Sequence, residues 1–275
     1  MRFLYTIMRR RGFMILFKHE MKMNLKSLLI WTLCVGGLCM GCILLYTSLE
    51  DSLQDIADAY SDMGAMSAAL GMDKMSLATL TGFYATEVGM MHGLGGAMFA
   101  AVVGTGMLSK EEAGHTTDFL YVFPVGRTSI LVQKYLALVC NVLLFNFICA
   151  VLYVLGFLLL GEEIQANEMA CFHLAQVLMQ LEVGTICFLI SAFTKKSFLG
   201  AGLGVPILLF AADMMCRIIP AIENLKYITP FYYANAADIF TSGEVEVCMA
   251  GIGIIVTAAA FMVSWLKFTR KDFAA

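Results

Sequence analysis

A chain of 275 residues that is 60% hydrophobic and only 14% charged, with a mean hydropathy of +0.81, has too little polar side chain to cover a core of its own making. Those proportions exclude an ordinary water-soluble domain and make lipid the solvent for most of the chain. The net charge of −3 averages two faces of opposite character, so it argues nothing for nucleic acid, and the placement of each charge is the more useful quantity.

The first thirteen residues are basic and are followed by Met14, a candidate second start, which suits an extension from an upstream start. They do not read as a cleavable signal, because the apolar run that follows is too long for a signal core and lacks a small-residue cleavage site. Residues 14–26 place Ile15, Phe17, Met21 and Leu25 among Lys18, Lys22 and Lys26. That pattern predicts an amphipathic helix along the inner headgroups that then turns into the membrane; a plain basic topology determinant is the alternative.

Six nearly uncharged apolar stretches follow, over residues 27–47, 87–108, 133–160, 172–193, 198–219 and 247–268. Each is roughly the length of a spanning helix. None alternates as a barrel strand would, and backbone groups in hydrocarbon must be satisfied within the segment, so the predicted fold is an all-α membrane protein with six transmembrane helices. With both termini in the cytoplasm, fifteen of the eighteen lysines and arginines fall inside, and only Lys74, Arg217 and Lys226 fall outside. That asymmetry supports six spans and cytoplasmic N and C termini. The chain divides into a basic interfacial segment (1–26), a six-helix membrane domain (27–268) and a cytoplasmic tail (269–275).

Between spans one and two, Leu49, Leu53, Ile56, Tyr60 and Met63 recur at helical spacing, with Asp51, Asp55, Asp58 and Asp62 on another face. This predicts an external amphipathic helix whose acidic face meets water. The inner loop between spans two and three carries Lys110, Glu111, Glu112, Asp118, Phe119 and Phe123 and is stopped by Pro124 and Gly126. An apolar knob flanked by charge, too short to span, has the character of a docking surface. The segment 220–246 groups Phe231, Tyr232, Tyr233 and Phe240 between Pro220 and Glu246, and it is expected to re-enter the outer leaflet in part.

Charge and polarity at membrane depth are costly and single out Glu182, with Gln176 and Gln180 near it on the same helix, as a possible translocation path or as an interhelical bonding group. Asp213 and Arg217, four apart, are expected to pair. Glu87 and His92 are not at i,i+4 spacing, so His92 reads as a packed polar residue more readily than as half of a proton relay. Three small-xxx-small pairs, Gly37 with Gly41, Gly89 with Gly93 and Gly200 with Gly204, permit close helix approach, and Pro206 is placed to bend span five. Cys34, Cys39 and Cys42 have the spacing of one iron–sulfur ligand set, but they lie within an apolar span without a fourth partner nearby. They and most of the nine cysteines are expected to be small packing residues, so neither a metal site nor a disulfide framework is implied.

The inner loop also carries a resemblance. Glu111, Glu112 and Gly114, then Pro124, Val125 and Arg127 with Lys134 soon after, are similar to the first cytoplasmic loop of type-2 ABC transporter permeases. Downstream, Ile228-Thr229-Pro230-Phe231-Tyr232-Tyr233 resembles that family's Ser-Pro-Phe-x-Tyr segment, with Thr229 where serine is common. The closing Phe268-Thr269-Arg270-Lys271-Asp272-Phe273 resembles its Arg-Arg-Asp-Leu ending. The resemblance covers the chain from Met14 onward. It implies the membrane half of a bacterial exporter in the cell membrane, paired with a second permease copy as homodimer or heterodimer and driven by a separate ATP-binding subunit. The coupling contact to that subunit is expected at Glu111, Glu112, Asp118, Phe119 and Phe123.

The chain has no Gly-x4-Gly-Lys-Ser/Thr phosphate loop, so ATP and Mg would be bound by the partner and no cofactor by this chain. Its 20 methionines and 20 phenylalanines favour an amphipathic or hydrophobic cargo, such as a peptide antibiotic, drug or lipid-like molecule, over sodium, although methionine also serves as ordinary packing. An intramembrane protease finds no support: His19-Glu20 lacks a second histidine at zinc-helix spacing. A membrane sensor or immunity protein without transport is the remaining alternative.

Overall fold

The computed structural model describes residues 15–61, 63–114, 126–196 and 198–270, with the side chains of Tyr60 and Ser61 excepted. Among these residues there is no strand, and six helices are long and apolar enough to cross a membrane. Asp118, Phe119 and Phe123, residues 1–14 and 271–275, and Asp62 lie outside the described residues.

The first span is longer than its apolar core. Helix α1 (Ile15–Trp31) passes through a π-helical stretch (Thr32–Gly37) into α2 (Leu38–Ser61) without a break. The segments predicted to be an interfacial helix and an external amphipathic helix are therefore the two ends of one continuous helix, and the turn expected after Lys26 is absent. The reason is local: no proline occurs in this stretch, and between Gly41 and Gly64 there is no glycine either. The helix runs to Ser61, and Gly64, with φ of 50°, lies just beyond it. On the outer portion Leu53 is buried while Leu49 and Ile56 remain exposed, so only part of the apolar stripe is used within one chain.

Short helix α3 (Ala65–Leu70) ends at Gly71 in the left-handed region, and α4 (Leu80–Phe83) is capped by the Thr79 hydroxyl, which accepts from the Gly82 amide at 3.1 Å. A π-helical turn (Tyr84–Val88) leads into α5 (Gly89–Gly106), completing span two. Helix α6 (Lys110–Ala113) starts the inner loop. Helix α7 (Arg127–Leu160) has 34 residues, about 51 Å at 1.5 Å per residue, and so extends well beyond a hydrocarbon core of about 30 Å. Helices α8 (Ala166–Phe193), α9 (Leu199–Ile218, with Pro206 inside) and α11 (Val247–Arg270) complete the spans. Between the last two lie a 3-10 stretch (Pro220–Tyr227) and α10 (Ala236–Ser242).

Helices α5 and α8 form the centre. About two thirds of the span-two window (67%) and of α8 (61%) is buried, against 22% of α9 and 28% of α11, whose remaining faces are apolar and suited to lipid or another apolar surface. The central pair approaches closely because α5 presents Gly93, Gly96 and Gly104 to α8. A methyl at Gly96 would overlap the Gln180 amide, and one at Gly104 would overlap the Gly184 carbonyl. By contrast Gly41, Gly200 and Gly204 have open space beside them, so of the three sequence pairs only Gly89 with Gly93 is packed on both members within this chain.

Those contacts yield a stability prediction. Gly104→Ala sets a side chain against backbone that cannot rotate away, and it should destabilise the fold by about 1–3 kcal/mol. Gly41→Ala should be close to neutral. Equilibrium unfolding of both variants in mixed micelles measures the difference.

Candidate functional site

At the end of the bundle that the charge pattern predicts to be inner, Lys134 sits two turns into α7 and is fully buried. Its ammonium donates to Glu20 Oε1 of α1 at 2.8 Å, to the Met107 carbonyl at the end of span two at 2.6 Å, and to Glu111 of α6. Lys110 pairs with the other oxygen of Glu20, which is also fully buried. Three donors of the ammonium thus meet three acceptors from three separate elements, the full complement it can make. Nearby, the amides of Leu108 and Ser109 donate to the Ser191 hydroxyl of α8 at 2.8 and 3.1 Å, and the Phe17 amide donates to Gln133 Oε1 at 3.2 Å. The inner loop is therefore fastened to α1, α7 and α8 at its root. Glu111 belongs to this cluster and Glu112 follows it on α6.

Glu20 was not singled out by sequence. Flanked by Lys18 and Lys22 it looks like part of a solvated face, and nothing local indicates that α7 covers it. Lys134 is likewise more than an inner-side charge. Arg127, in turn, donates to the Thr269 carbonyl at 3.0 Å, which holds the starts of α7 and the end of α11 together.

Mid-membrane, the three polar residues of α8 do not form one strip. Gln176 donates to the Ala234 carbonyl at 2.9 Å, and Gln180 accepts from Asn146 at 2.7 Å. Glu182 instead accepts from the Tyr233 hydroxyl at 3.1 Å, with Gly253 of α11 so close that a methyl there would overlap the carboxylate. Gln176 and Gln180 share a face at i,i+4, whereas Glu182 lies on the flank toward α11. The gap of two residues after Gln180 turns it by more than half a turn.

Asn146 continues the inner polar group. Its amide donates to the Val142 carbonyl at 2.9 Å, which fixes its orientation, so its Oδ1 must accept from His92 Nε2 at 3.0 Å. A neutral imidazole then accepts at Nδ1 from Tyr153, also at 3.0 Å. His92 is fully buried and stacked on Phe145, a packed polar residue. His173, 5.3 Å away between ring centroids, and Asn146 were not anticipated; both lie in apolar helices that gave no periodic signal.

On the outer side the aromatic segment descends into the bundle. Phe231, Tyr233 and Phe240 are buried, and Phe240 packs edge-on against Tyr84, which also touches Tyr153, Phe157 and Phe172. Gln176, the anchor for Ala234, lies ten residues into α8, so the segment reaches about 15 Å along that helix. Burial, with Glu182 beside it, pushes the Tyr233 phenol well above its ordinary range and keeps it a donor.

Arg217 holds this insertion. It donates to Asp213 Oδ2 at 3.1 Å, to Asp238 Oδ2 of α10 at 3.0 Å and to the Tyr232 carbonyl at 3.2 Å, while its guanidinium lies 4.6 Å from the Tyr232 ring. Lys74 pairs with the other oxygen of Asp238. The expected Asp213–Arg217 pair is present within this larger cluster. Tyr232, Tyr233, Asp238, Glu244, Glu246 and Lys74 help to line an outer cavity of about 500 Å³.

Six spans, a loop root locked by buried charge and an aromatic segment inserted before the last span agree with a sequence comparison across almost the whole chain: residues 14–273 match the family described as ABC-2 family transporter protein. The chain belongs to that family. It is thus an ABC transporter permease and a multi-pass membrane protein. Among curated proteins none matches the chain. In this permease the residues of the candidate coupling site divide: Glu111 is tied to Lys134, whereas Asp118, Phe119 and Phe123 lie outside the described residues.

The buried lock at Lys134 has a measurable consequence. Lys134→Met leaves Glu20 buried with Lys110 alone and should cost about 3–5 kcal/mol. The double variant Glu20→Met with Lys134→Met should regain a large part of that loss, because the remaining charges lie at the rim. A double-mutant cycle by equilibrium unfolding reads the coupling.

Proposed function

We propose that this permease is the membrane subunit of an ATP-binding cassette exporter of the cell membrane. It moves an amphipathic or hydrophobic molecule outward with ATP hydrolysed by a separate subunit, and a second permease copy completes the membrane part. The observation that carries the reading is the Lys134 cluster. A loop root joined by buried ion pairs to α1 and α7, and by the Ser191 hydroxyl to α8, cannot move without moving those helices. Force applied by an ATP-binding subunit to Glu111, Glu112, Asp118, Phe119 and Phe123 would pass through it to the spans.

The same chemistry supports the orientation. The loop root, Lys195, Lys196, Lys267 and Arg270 lie on the side richest in basic residues, and that side is assigned to the cytoplasm together with both termini. At the other end the cavity of about 500 Å³, walled by Tyr232 and Tyr233 with Asp238, Glu244 and Glu246, supports a release vestibule suited to a molecule with both apolar and cationic parts. The Gln176, Gln180 and Glu182 groups are all engaged within the chain here. For the proposed path, Glu182 is the member next to the inserted Tyr233 and hence nearest to a moving part.

Two readings from the same residues make opposite predictions. A non-transporting sensor or immunity protein needs no cargo flux, and a sodium efflux permease would show its phenotype in salt. A deletion strain challenged with cationic peptides, hydrophobic drugs and sodium chloride should become sensitive to one of the first two; sensitivity to sodium alone contradicts the amphipathic assignment.

Coupling is tested directly with Phe119→Ala combined with Phe123→Ala. Removing two aromatic anchors should weaken co-purification with the ATP-binding subunit and abolish export while membrane insertion remains intact. Full association with full ATP-driven transport in the double variant contradicts the coupling assignment.

A further inference from the structure

Between span two, α9 and the inserted outer segment lies a second, smaller cavity of about 40 Å³, lined in part by Gly93, Gln176, Phe210, Asp213 and Phe231. Among its polar side chains, which also include Thr86 and Asn235, Gln176 and Asp213 are each more than nine-tenths buried, at 2% and 3% exposure. Each has one oxygen without a hydrogen-bond partner. Asp213 spends Oδ2 on Arg217 and leaves Oδ1 unpaired; Gln176 spends its amide N–H on the Ala234 carbonyl and leaves Oε1 unpaired. Two orphaned acceptors on the wall of one cavity mark a place where a donor is missing, because buried acceptors are otherwise almost always satisfied.

We propose that this cavity binds the protonated primary amine of an amphipathic molecule. A space of this size exceeds what one water needs and admits an ammonium with its first methylene, while a trimethylammonium head is too bulky for it. The donor count fits, since an ammonium carries three N–H groups and no acceptor. Charge also fits: inside the cluster one guanidinium faces two carboxylates, Asp213 and Asp238, and the balancing Lys74 is 43% exposed and reaches only Asp238. The T-shaped Phe210 and Phe231 rings, 5.5 Å apart, add apolar wall on which a cationic group is tolerated. A bare metal ion finds only one carboxylate oxygen and one amide oxygen without a hydrogen-bond partner among the side chains of the wall, too few for an oxygen-ligated cation.

The inference deepens the exporter reading by giving the cargo an amine, but its test does not depend on transport. The full-length permease in lipid nanodiscs is titrated calorimetrically with octylammonium chloride, octyltrimethylammonium chloride and octanol, which separate charge, N–H donors and simple partitioning. Saturable binding is expected for octylammonium alone. It should weaken by about tenfold or more in Gln176→Met and in Asp213→Asn, as for loss of a hydrogen bond to a charged group. Gly93→Ala, which places a methyl 3.4–3.5 Å from the Gln176 amide at the cavity wall, should weaken it as well and disturbs neither ion pair, so a folding defect in Asp213→Asn leaves the test intact. Equal, non-saturable uptake of all three compounds means the cavity holds water only and overturns the proposal, as does unchanged octylammonium affinity in the three variants. Saturable amine binding by a permease that exports no amine upholds the site and contradicts the assignment of an amine to the exported cargo.

Discussion

The inner half of this permease depends on one buried ammonium. Lys134 is fully buried, and an ion in such a place is tolerated only when its donors are met and its charge is balanced. Glu20, Glu111 and the Met107 carbonyl do both, and each comes from a different element. The requirement fixes where α1 lies on α7, where span two ends and where the inner loop begins. Hydrophobic packing could hold these helices together at many relative depths; three short hydrogen bonds to one nitrogen select a single one.

The outer half repeats the principle with a guanidinium. Arg217 fastens α9, α10 and the Tyr232 backbone at one point, so that the aromatic segment is held among the spans by directional bonds as well as by apolar contact. Glu182 meets this insertion from the opposite flank through Tyr233. Inner and outer clusters are linked by the central α5 and α8 pair, whose close contacts at Gly96 and Gly104 oppose independent sliding. A permease driven from its inner loop, as proposed, needs such a connection, and a packed centre with charged fasteners at both ends would supply it.

Six spans were legible because each is an uninterrupted apolar run, a signal that lipid imposes regardless of partners. The Asp213–Arg217 pair was legible because i,i+4 neighbours on a helix meet whatever surrounds them. Glu20 with Lys134 was not, since 114 positions separate them and only the packing of α1 on α7 joins them. Nor was the division of the α8 polar residues: Gln176, Gln180 and Glu182 look like one group in sequence, but Gln180 meets Asn146 of α7 while Gln176 and Glu182 meet Ala234 and Tyr233 of the inserted segment. The extent of span one was misjudged for a related reason. Its apolar core ends near Thr47, but no glycine or proline follows before Gly64 to interrupt the helix, which runs on to Ser61.

The most direct measurement compares ATP hydrolysis with cargo movement in proteoliposomes holding the permease and its ATP-binding subunit, in the wild type and in Glu20→Met with Lys134→Met. The account predicts that the double variant still assembles and supports hydrolysis but no longer exports, because the loop root has lost its hold on the spans. Export per ATP equal to that of the wild type would contradict it.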